Sequence, residues 1–185
     1  MRKVFVPLLV AGLLVGCSTF MSMKPDYSAL PEEAMRQVAL EIETAIQKGD
    51  RQPQIADRGG VVVNEENITQ AIRARAARSE LINRFLDSGF GWEGINGLVY
   101  IRTSAEYKKA TTRRERDTNA LTIDGECADR WTIYEGIVKS SNLSPRRALP
   151  AVQRIFHEAR VQVMREGQWF ESESGDFTQK GMSAK

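Results

Sequence analysis

A cysteine and a histidine on two neighbouring predicted helices form the sharpest chemical combination in the sequence. Cys127 and His157 could approach each other there, and an imidazolium beside a thiol favours the nucleophilic thiolate. However, Cys127 falls on an apolar helix face, where a lone thiol usually behaves as a small buried hydrophobic residue. No third group that would orient His157 is apparent from the sequence. We therefore predict a structural Cys127 and keep the pair as the alternative.

His157 is the only histidine of the chain. Metal sites built on imidazole use two or three histidines, with cysteine or carboxylate ligands at fixed spacing, so we predict no metal site. Glu158 and Arg160 flank His157 and support an exposed ion pair at most, which favours a structural or surface histidine. The sequence has no GxSxG nucleophile elbow, although a Ser-His-Asp arrangement of distant residues stays open. We predict no catalytic residues.

A glycine-rich stretch from Gly89 to Gly97 contains the spacing GxGxxG. A dinucleotide site needs a strand before these glycines and a helix after them, so that the helix N-terminus meets the pyrophosphate. Here a predicted helix precedes the glycines and the β-prone segment 98–101 follows them. Because this order is reversed, we predict tight turns and no cofactor. Phe90 and Trp92 in this stretch either cover core or form an exposed aromatic contact.

The N-terminus has the pattern of a secretory signal peptide over residues 1–16, with Arg2 and Lys3 before an apolar run. The run is too short to cross a hydrocarbon core, which takes about 20 residues. The residues Leu-Val-Gly-Cys that end at Cys17 resemble the lipobox of bacterial lipoproteins. The resemblance implies cleavage before Cys17, a thioether link from Cys17 to diacylglycerol, and acylation of the new amine by a fatty acid such as palmitate. Ser18 after this cysteine implies sorting to the outer membrane, with the domain in the periplasm.

Cleavage before Cys17 would leave 169 residues, enough for one domain with its own core. The full sequence has 26 basic and 24 acidic side chains, and the signal peptide removes Arg2 and Lys3. The remaining 24 basic and 24 acidic side chains balance, which together with export argues against a nucleic-acid partner. A lipidated Cys17 would leave Cys127 without an intramolecular partner, so no disulfide is predicted.

Apolar residues recur at helical spacing along most of the remaining chain, which predicts a small, mainly α domain. We predict about five helices, with one or two short strand pieces around the glycine-rich turn. The domain is expected to cover residues 31–171, between a tether at 17–30 and a flexible tail at 172–185. The helices are expected at Pro31 to about Gly49, Glu65 to about Gly89, Thr103 to about Asn119, Asp124 to about Ser140, and Pro145 to about Gly167.

Two of the predicted helices carry several cations each. The arginines of the second helix are Arg73, Arg75, Arg78 and Arg84. Acidic residues are interspersed among them, so a solvated face is predicted. The third helix has its basic residues in a segment that is polar nearly all round, which predicts an exposed helix. The alternative is contact with anionic headgroups or an acidic partner. These basic residues include Lys108, Lys109, Arg113 and Arg114.

The order of motifs over residues 68–171 resembles the YdbL-like family, a bacterial envelope domain of unknown function. The motifs are a helix with arginines, a glycine-rich turn, a Gly-aliphatic pair, an Arg-to-Tyr segment, a Leu-Ser-Pro turn and a terminal Gly-x-Trp. They correspond to Arg73–Leu86, Gly89–Glu93, Gly97-Leu98, Asp129-Arg130 with Tyr134, Leu143–Pro145 and Gly167–Trp169. The resemblance implies an accessory role in the envelope, beside AsmA-like proteins that carry lipid between membranes. It implies no catalytic residues.

The sequence therefore predicts a non-catalytic accessory or chaperone-like module that binds another envelope protein. Its lipid anchor would raise its effective concentration near that partner. A lipid- or glycan-binding carrier is one alternative and would need an apolar cavity or an aromatic-lined groove. An envelope hydrolase is another and would need His157 to meet Cys127 or a Ser–Asp pair. The predicted partner contacts are Phe90, Trp92, Lys108, Lys109, Arg113 and Arg114.

Overall fold

The computed structural model describes residues 30–182. The predicted signal peptide, Cys17 and residues 17–29 of the tether lie outside the described residues. Within residues 30–182 the chain forms five helices, and the prediction of a small, mainly α domain is confirmed. In this range no helix has both the length and the apolar character needed to cross a bilayer. The helices are α1 (Glu32–Gln47), α2 (Glu66–Asp87), α3 (Ala105–Ala110), α4 (Arg113–Ser140) and α5 (Pro145–Val163).

Four short strands form one sheet in the order β2-β1-β3-β4. The strands are β1 (Gly91–Glu93), β2 (Val99–Ile101), β3 (Trp169–Glu171) and β4 (Phe177–Gln179). β1 and β2 form one antiparallel hairpin, β3 and β4 form another, and β1 joins the two by running parallel to β3. The glycine-rich turn therefore supplies only half of the sheet.

The prediction of a flexible tail from residue 172 is wrong for the segment that forms β4. The chain reverses at Gly175, which has a positive φ of 85° that glycine adopts without strain. The backbone N–H of Ser172 then donates to the carbonyl of Asp176 at 2.8 Å, and β4 pairs with β3. The segment after residue 171 has few apolar residues, so its sequence resembles that of a flexible tail. Its backbone nevertheless forms sheet hydrogen bonds with β3.

The main hydrophobic core lies between α1, α2, α4 and α5. Leu30, which was predicted to belong to the tether, is buried in this core. α2 and α4 pack tightly at Gly136, where a Cβ atom would stand 2.7 Å from Cγ1 of Ile68. A smaller cluster, which includes Tyr107, fills the space between α2, α4 and β2.

The third and fourth helices differ from their predicted bounds. A helix starting at Thr103 and another starting at Asp124 were expected, but the structure has a short α3 and a continuous α4. The hydroxyl of Ser104 caps α3 by accepting from the backbone N–H of Tyr107 at 3.1 Å. The capping box belongs to Thr112 and Glu115 at the start of α4. Because Thr112 has the same spacing to a glutamate as Thr103, sequence spacing did not select between the two positions.

Candidate functional site

The sheet separates two regions of different chemistry, and β1 contributes to both. Side chains alternate between the two faces of a strand, so neighbouring residues point in opposite directions. Glu93 is fully buried on the face toward the helices, whereas Trp92 is partly exposed on the outer face. The inner face carries a set of ion pairs, and the outer face carries aromatic rings.

The inner set, here called the buried ion network, alternates acidic and basic side chains from α1, α2, α4, α5 and β1. All of its side chains are at most 4% exposed. The network comprises Glu43, Arg75, Glu126, Arg130, Glu93 and Arg160, in the order in which they contact one another. Because three guanidinium groups face three carboxylates, its formal charges cancel.

The first half of the network connects α1, α2 and α4. Arg75 donates to both carboxylate oxygens of Glu43, at 2.7 and 3.0 Å, in the bidentate geometry that makes such pairs strong. Its Nε donates to Oε1 of Glu126 at 2.9 Å. The same oxygen accepts from Nε of Arg130 at 2.8 Å, so Glu126 bridges two arginines.

The second half of the network connects α4 and α5 to the sheet through Glu93. Arg130 donates to both carboxylate oxygens of Glu93, and Arg160 donates its Nε–H to Oε1 of Glu93 at 3.0 Å. The remaining donors of Arg160 reach the side-chain oxygens of Gln47 and Asn83 at 2.7 and 3.2 Å. Buried charges are tolerated only when they are paired in this way.

Gly97 is the point where the network holds the loop between β1 and β2. Its carbonyl accepts from Arg130 at 3.0 Å and from the hydroxyl of Tyr134 at 2.7 Å. Gly97 has a φ of 73°, and a Cβ atom there would stand 2.9 Å from the carbonyl oxygen of Gln153. Both the backbone conformation and the available space therefore require glycine at this position.

The protonation states within the network are fixed at neutral pH. Burial alone would raise the pKa of Glu93, but Arg130 and Arg160 outweigh it and lower that pKa to about 2. Burial likewise opposes ionisation of Glu126, and Arg75 with Arg130 again holds its pKa below the usual range. Neither carboxylate exchanges a proton near pH 7, so neither has the properties of a general acid or base there.

The space beside the network is also too small for a substrate. A cavity of about 10 Å³ lies among Arg75, Arg130 and Arg160, which is room for about one water molecule. The expectation that the arginines of α2 form a solvated face is wrong for Arg75, which lies in the apolar stripe of α2 together with Ile68 and Ile72. We interpret this region as structural.

His157 is buried beneath β3, where its ring lies 6.4 Å from that of Phe170 between centroids. The expected exposed ion pair with its neighbours is wrong, because Glu158 pairs with Arg36 and Arg160 pairs with Glu93. Within the described residues its Nδ1 has no hydrogen-bond partner. Burial lowers the pKa of His157, and this effect outweighs the opposing influence of Glu93. The imidazole is therefore neutral at pH 7.

Cys127 lies under a different strand. Its Sγ donates to the carbonyl of Val99 on β2 at 3.3 Å, and its side chain packs against the smaller hydrophobic cluster. Burial raises the pKa of this thiol, which is the reverse of what nucleophilic activation requires. The described contacts of Cys127 and His157 thus involve different strands. Among residues 30–182, no group of three or more potential ligand side chains is placed to hold a metal ion.

The outer face of the sheet carries a row of aromatic side chains across its four strands. Trp92 on β1 pairs with Tyr100 on β2 and with Trp169 on β3. The rings of Trp92 and Tyr100 stack at 4.6 Å between centroids with an angle of 21°. Phe177 on β4 meets Trp92 edge-on at 4.7 Å. Tyr100 thus covers Trp92 on one side, and Phe177 stands against it as well.

These rings border an open cavity of about 240 Å³, here called the aromatic pocket. Its lining consists of Gly91, Trp92, Arg102, Trp169 and Phe177. Phe177 leaves 58% of its surface exposed, which is unusual for a large apolar side chain that packs against other rings. The guanidinium of Arg102 lies 5.7 Å from the ring centroid of Trp169, within the range of a cation–π contact.

The predicted contact residues fall into three groups. Trp92 is partly exposed and lines the aromatic pocket. Phe90 packs on Tyr107 at 5.2 Å and covers the smaller hydrophobic cluster, which was the other interpretation of its position. The remaining four contacts are exposed, at the end of α3 and the start of α4. They are Lys108, Lys109, Arg113 and Arg114.

Sequence reasoning did not identify the other residues of the pocket. Trp169 had been noticed as the end of a Gly-x-Trp motif, but Phe177 had been placed in a flexible tail. The alternation of Trp169, Glu171 and their partners across a hairpin could have indicated a second exposed aromatic face. Tyr100 lies within the β-prone segment 98–101 and Arg102 directly follows it, and only strand pairing brings them beside the tryptophans.

Comparison with known proteins gives no match: no family model, no curated protein and no solved structure resembles the chain significantly. The resemblance to the YdbL-like family therefore stays a prediction. The function is inferred below from the geometry of the sheet and from the N-terminal sequence.

Proposed function

We propose that this protein is a non-catalytic accessory module of the bacterial envelope that binds another envelope protein through the aromatic pocket. The observation that carries the proposal is an open pocket with aromatic walls and one cation on an accessible sheet face. Tryptophan, tyrosine and arginine are the residues most enriched among those that dominate protein–protein binding energy. Their clustering in a concave site is typical of a surface that receives an anchor side chain.

The size of the pocket supports a protein partner over a free metabolite. Its volume of about 240 Å³ lies below the range of about 300–1,000 Å³ typical of small-molecule sites. One large side chain is a closer match to that volume. The exposed cations Lys108, Lys109, Arg113 and Arg114 offer a second, electrostatic contact for an acidic surface of the same partner.

The N-terminal sequence supports the location. A lipid on Cys17 would hold the domain at the periplasmic side of the outer membrane and raise its effective concentration near membrane partners. The resemblance to the YdbL-like family supports an AsmA-like lipid-transport protein as the class of partner. In this proposal the domain has no reaction of its own and works by holding that partner.

A glycan-binding carrier is the second candidate, because sugars also bind to aromatic faces. The aromatic pocket is the observation that favours it. Sugar sites add several polar side chains that bond the hydroxyl groups, whereas among the described residues Arg102 is the only charged side chain that lines this pocket. The protein partner therefore remains the first candidate.

Site-specific photo-crosslinking in intact cells tests the proposal. A photoreactive residue in place of Phe177, at the rim of the pocket, should capture one specific envelope protein. The matched control replaces Leu121, which is 74% exposed on α4 and does not line the pocket. Adding the substitution W169A should abolish the crosslink from position 177. Recovery of only peptidoglycan or lipid, or an equal crosslink from position 121, would show that the proposed function is wrong.

A further inference from the structure

We propose that the aromatic pocket recognises a peptide segment in which a large apolar side chain stands next to a carboxylate. This inference rests on the proposed function and states which chemistry the partner presents. The walls of the pocket select the apolar side chain, and Arg102 selects the carboxylate. Each part follows from a separate observation.

The walls leave an apolar space of one side chain's size. Tyr100 stacks on Trp92, and Phe177 meets the same indole edge-on, so the rings hold one another in place. Trp169 lies on the adjacent strand, in register with Trp92. A Cβ at Gly91 would come within 2.6 Å of the ring of Phe85, so a larger residue at this lining position would displace core packing.

Among the described residues that line the pocket, only Arg102 carries a charge. No carboxylate from residues 30–182 lines it, and Glu171, which lies on the same sheet face, already accepts from the backbone N–H of Ile95 at 3.0 Å. Glu106, the nearest acidic residue along the chain, has its pKa lowered first by its own backbone N–H and by Ser104, and to a smaller extent by the charge of Arg102. Within residues 30–182, the guanidinium of Arg102 has no ion-pair or side-chain hydrogen-bond partner, so its donors are available.

The positive charge of Arg102 also argues against a cationic ligand. Cages of aromatic rings commonly bind quaternary ammonium groups through cation–π attraction. Here Arg102 already occupies the cation position at Trp169 and would repel a second positive charge. A guanidinium held over a ring instead presents its planar edge, which matches the two oxygens of a carboxylate. The pocket is therefore suited to an anionic ligand with an apolar body.

The test compares two probes that differ only in charge, N-acetyl-phenylalanine and its C-terminal amide. Ligand-observed NMR titration on the full chain in phosphatidylcholine nanodiscs should show the acid binding about tenfold more tightly than the amide, as expected for one charge-assisted bidentate contact. R102Q should remove this preference, so that the acid and the amide bind with equal affinity. R146Q, which removes an exposed cation at the start of α5, is the matched control and should keep the preference.

Equal binding of the two probes, or an unchanged preference in R102Q, would overturn the inference. Failure of both probes to bind would overturn it as well, provided that the backbone NMR signals of the protein show a folded chain. The crosslink from position 177 is independent of these probes. If that crosslink is retained while the probes fail, the partner is bound but its determinant has different chemistry; if it is lost, the proposed function itself is wrong.

Discussion

Trp92 and Glu93 are neighbours on one strand, yet their surroundings have opposite chemistry. Glu93 is enclosed by arginines from two helices, and each of its oxygens accepts a hydrogen bond from a guanidinium group. Trp92 borders an open pocket whose single cation has donors to spare. Within residues 30–182, the charged groups of the buried ion network are all paired, whereas the guanidinium of Arg102 on the outer face is not.

This difference distinguishes charged residues that stabilise the fold from residues that are available to bind a partner. The inner network has the more unusual pKa values, which on their own would suggest an active site. Its partners explain those values completely, and its cavity holds about one water molecule. The outer pocket has ordinary groups, but they are accessible and incompletely paired. This contrast is the reason why we propose the outer pocket, and not the inner network, as the functional site.

The largest effect is expected from breaking the inner network at its centre. R130M leaves Glu93 with Arg160 alone and removes one of the arginines that neutralise Glu126. Loss of one partner of a buried ion pair typically costs about 3–5 kcal/mol, because the remaining charge stays buried. Urea unfolding measures this loss. The control R78M, at the partly exposed edge of the network, should cost about 1 kcal/mol or less. Equal losses for the two variants would contradict the central role of Arg130.

A decrease in pH is expected to reduce the stabilisation that the buried ion network gives to the folded protein. The pKa of Glu93 is about 2 in the folded protein and near 4.5 in the unfolded chain, so the unfolded state takes up a proton first on acidification. The stabilisation from Glu93, about 3 kcal/mol, is therefore complete above pH 4.5 and is lost as the pH falls toward 2. The lowered pKa of His157 acts in the same direction below about pH 6.5, since the buried imidazole resists protonation.

Thermal unfolding between pH 7 and pH 2 measures this dependence. E93Q removes the titrating carboxylate, so its stability should change less between pH 4.5 and pH 2 than that of the natural chain. A pH profile of the same steepness in both proteins would show that other groups control acid unfolding.

The outer face should respond in the opposite way, with a small effect on stability and a large one on binding. W169A removes one wall of the pocket and a partly exposed side chain, so we expect a loss of about 1–2 kcal/mol in unfolding free energy. Capture of the partner from position 177 should be lost completely. If W169A unfolds the protein instead, the outer rings are structural, and the contrast between the two faces does not hold.

The smallest effect on folding is expected from the N-terminal anchor. C17A should leave the free energy of unfolding within about 0.5 kcal/mol of the natural value. It should move the protein from the membrane fraction to the soluble periplasmic fraction and abolish incorporation of labelled palmitate. Retention of the label would show that the lipobox assignment is wrong. A weaker crosslink from position 177 in C17A would show that partner binding at the aromatic pocket depends on proximity to the membrane.

Much of the helical architecture could be predicted from local patterns. Apolar residues at helical spacing located α1, α2 and α5 within a few residues of their observed ends. Helix bounds between residues 103 and 124 were harder to predict, because two Thr-x-x-Glu sequences fit the capping-box pattern and only the second forms it. The hairpin of β3 and β4 was difficult to recognise in the sequence, since its second strand carries one exposed phenylalanine and few other apolar residues.

The sequence by itself determined the helical periodicity, the predicted signal and lipobox, and the near balance of positive and negative charge. It also contained one overlooked signal: Arg75, Glu126 and Arg130 stand at helical spacing within apolar stripes, where a solvated charge would be misplaced. What the sequence could not specify is which carboxylate each arginine meets. Glu43 lies 32 positions from Arg75, and Glu93 lies 67 positions from Arg160.

Only the tertiary structure decided these pairings, because an ion pair depends on distance in space and not on spacing along the chain. The same is true of the aromatic pocket, where strands from two distant hairpins bring Trp92 and Trp169 side by side. Once β1 pairs with β3, strand alternation sends Glu93 inward to its arginines and Trp92 outward to the pocket. One pairing of backbone strands thus placed the buried ion network on one face of the sheet and the open aromatic pocket on the other.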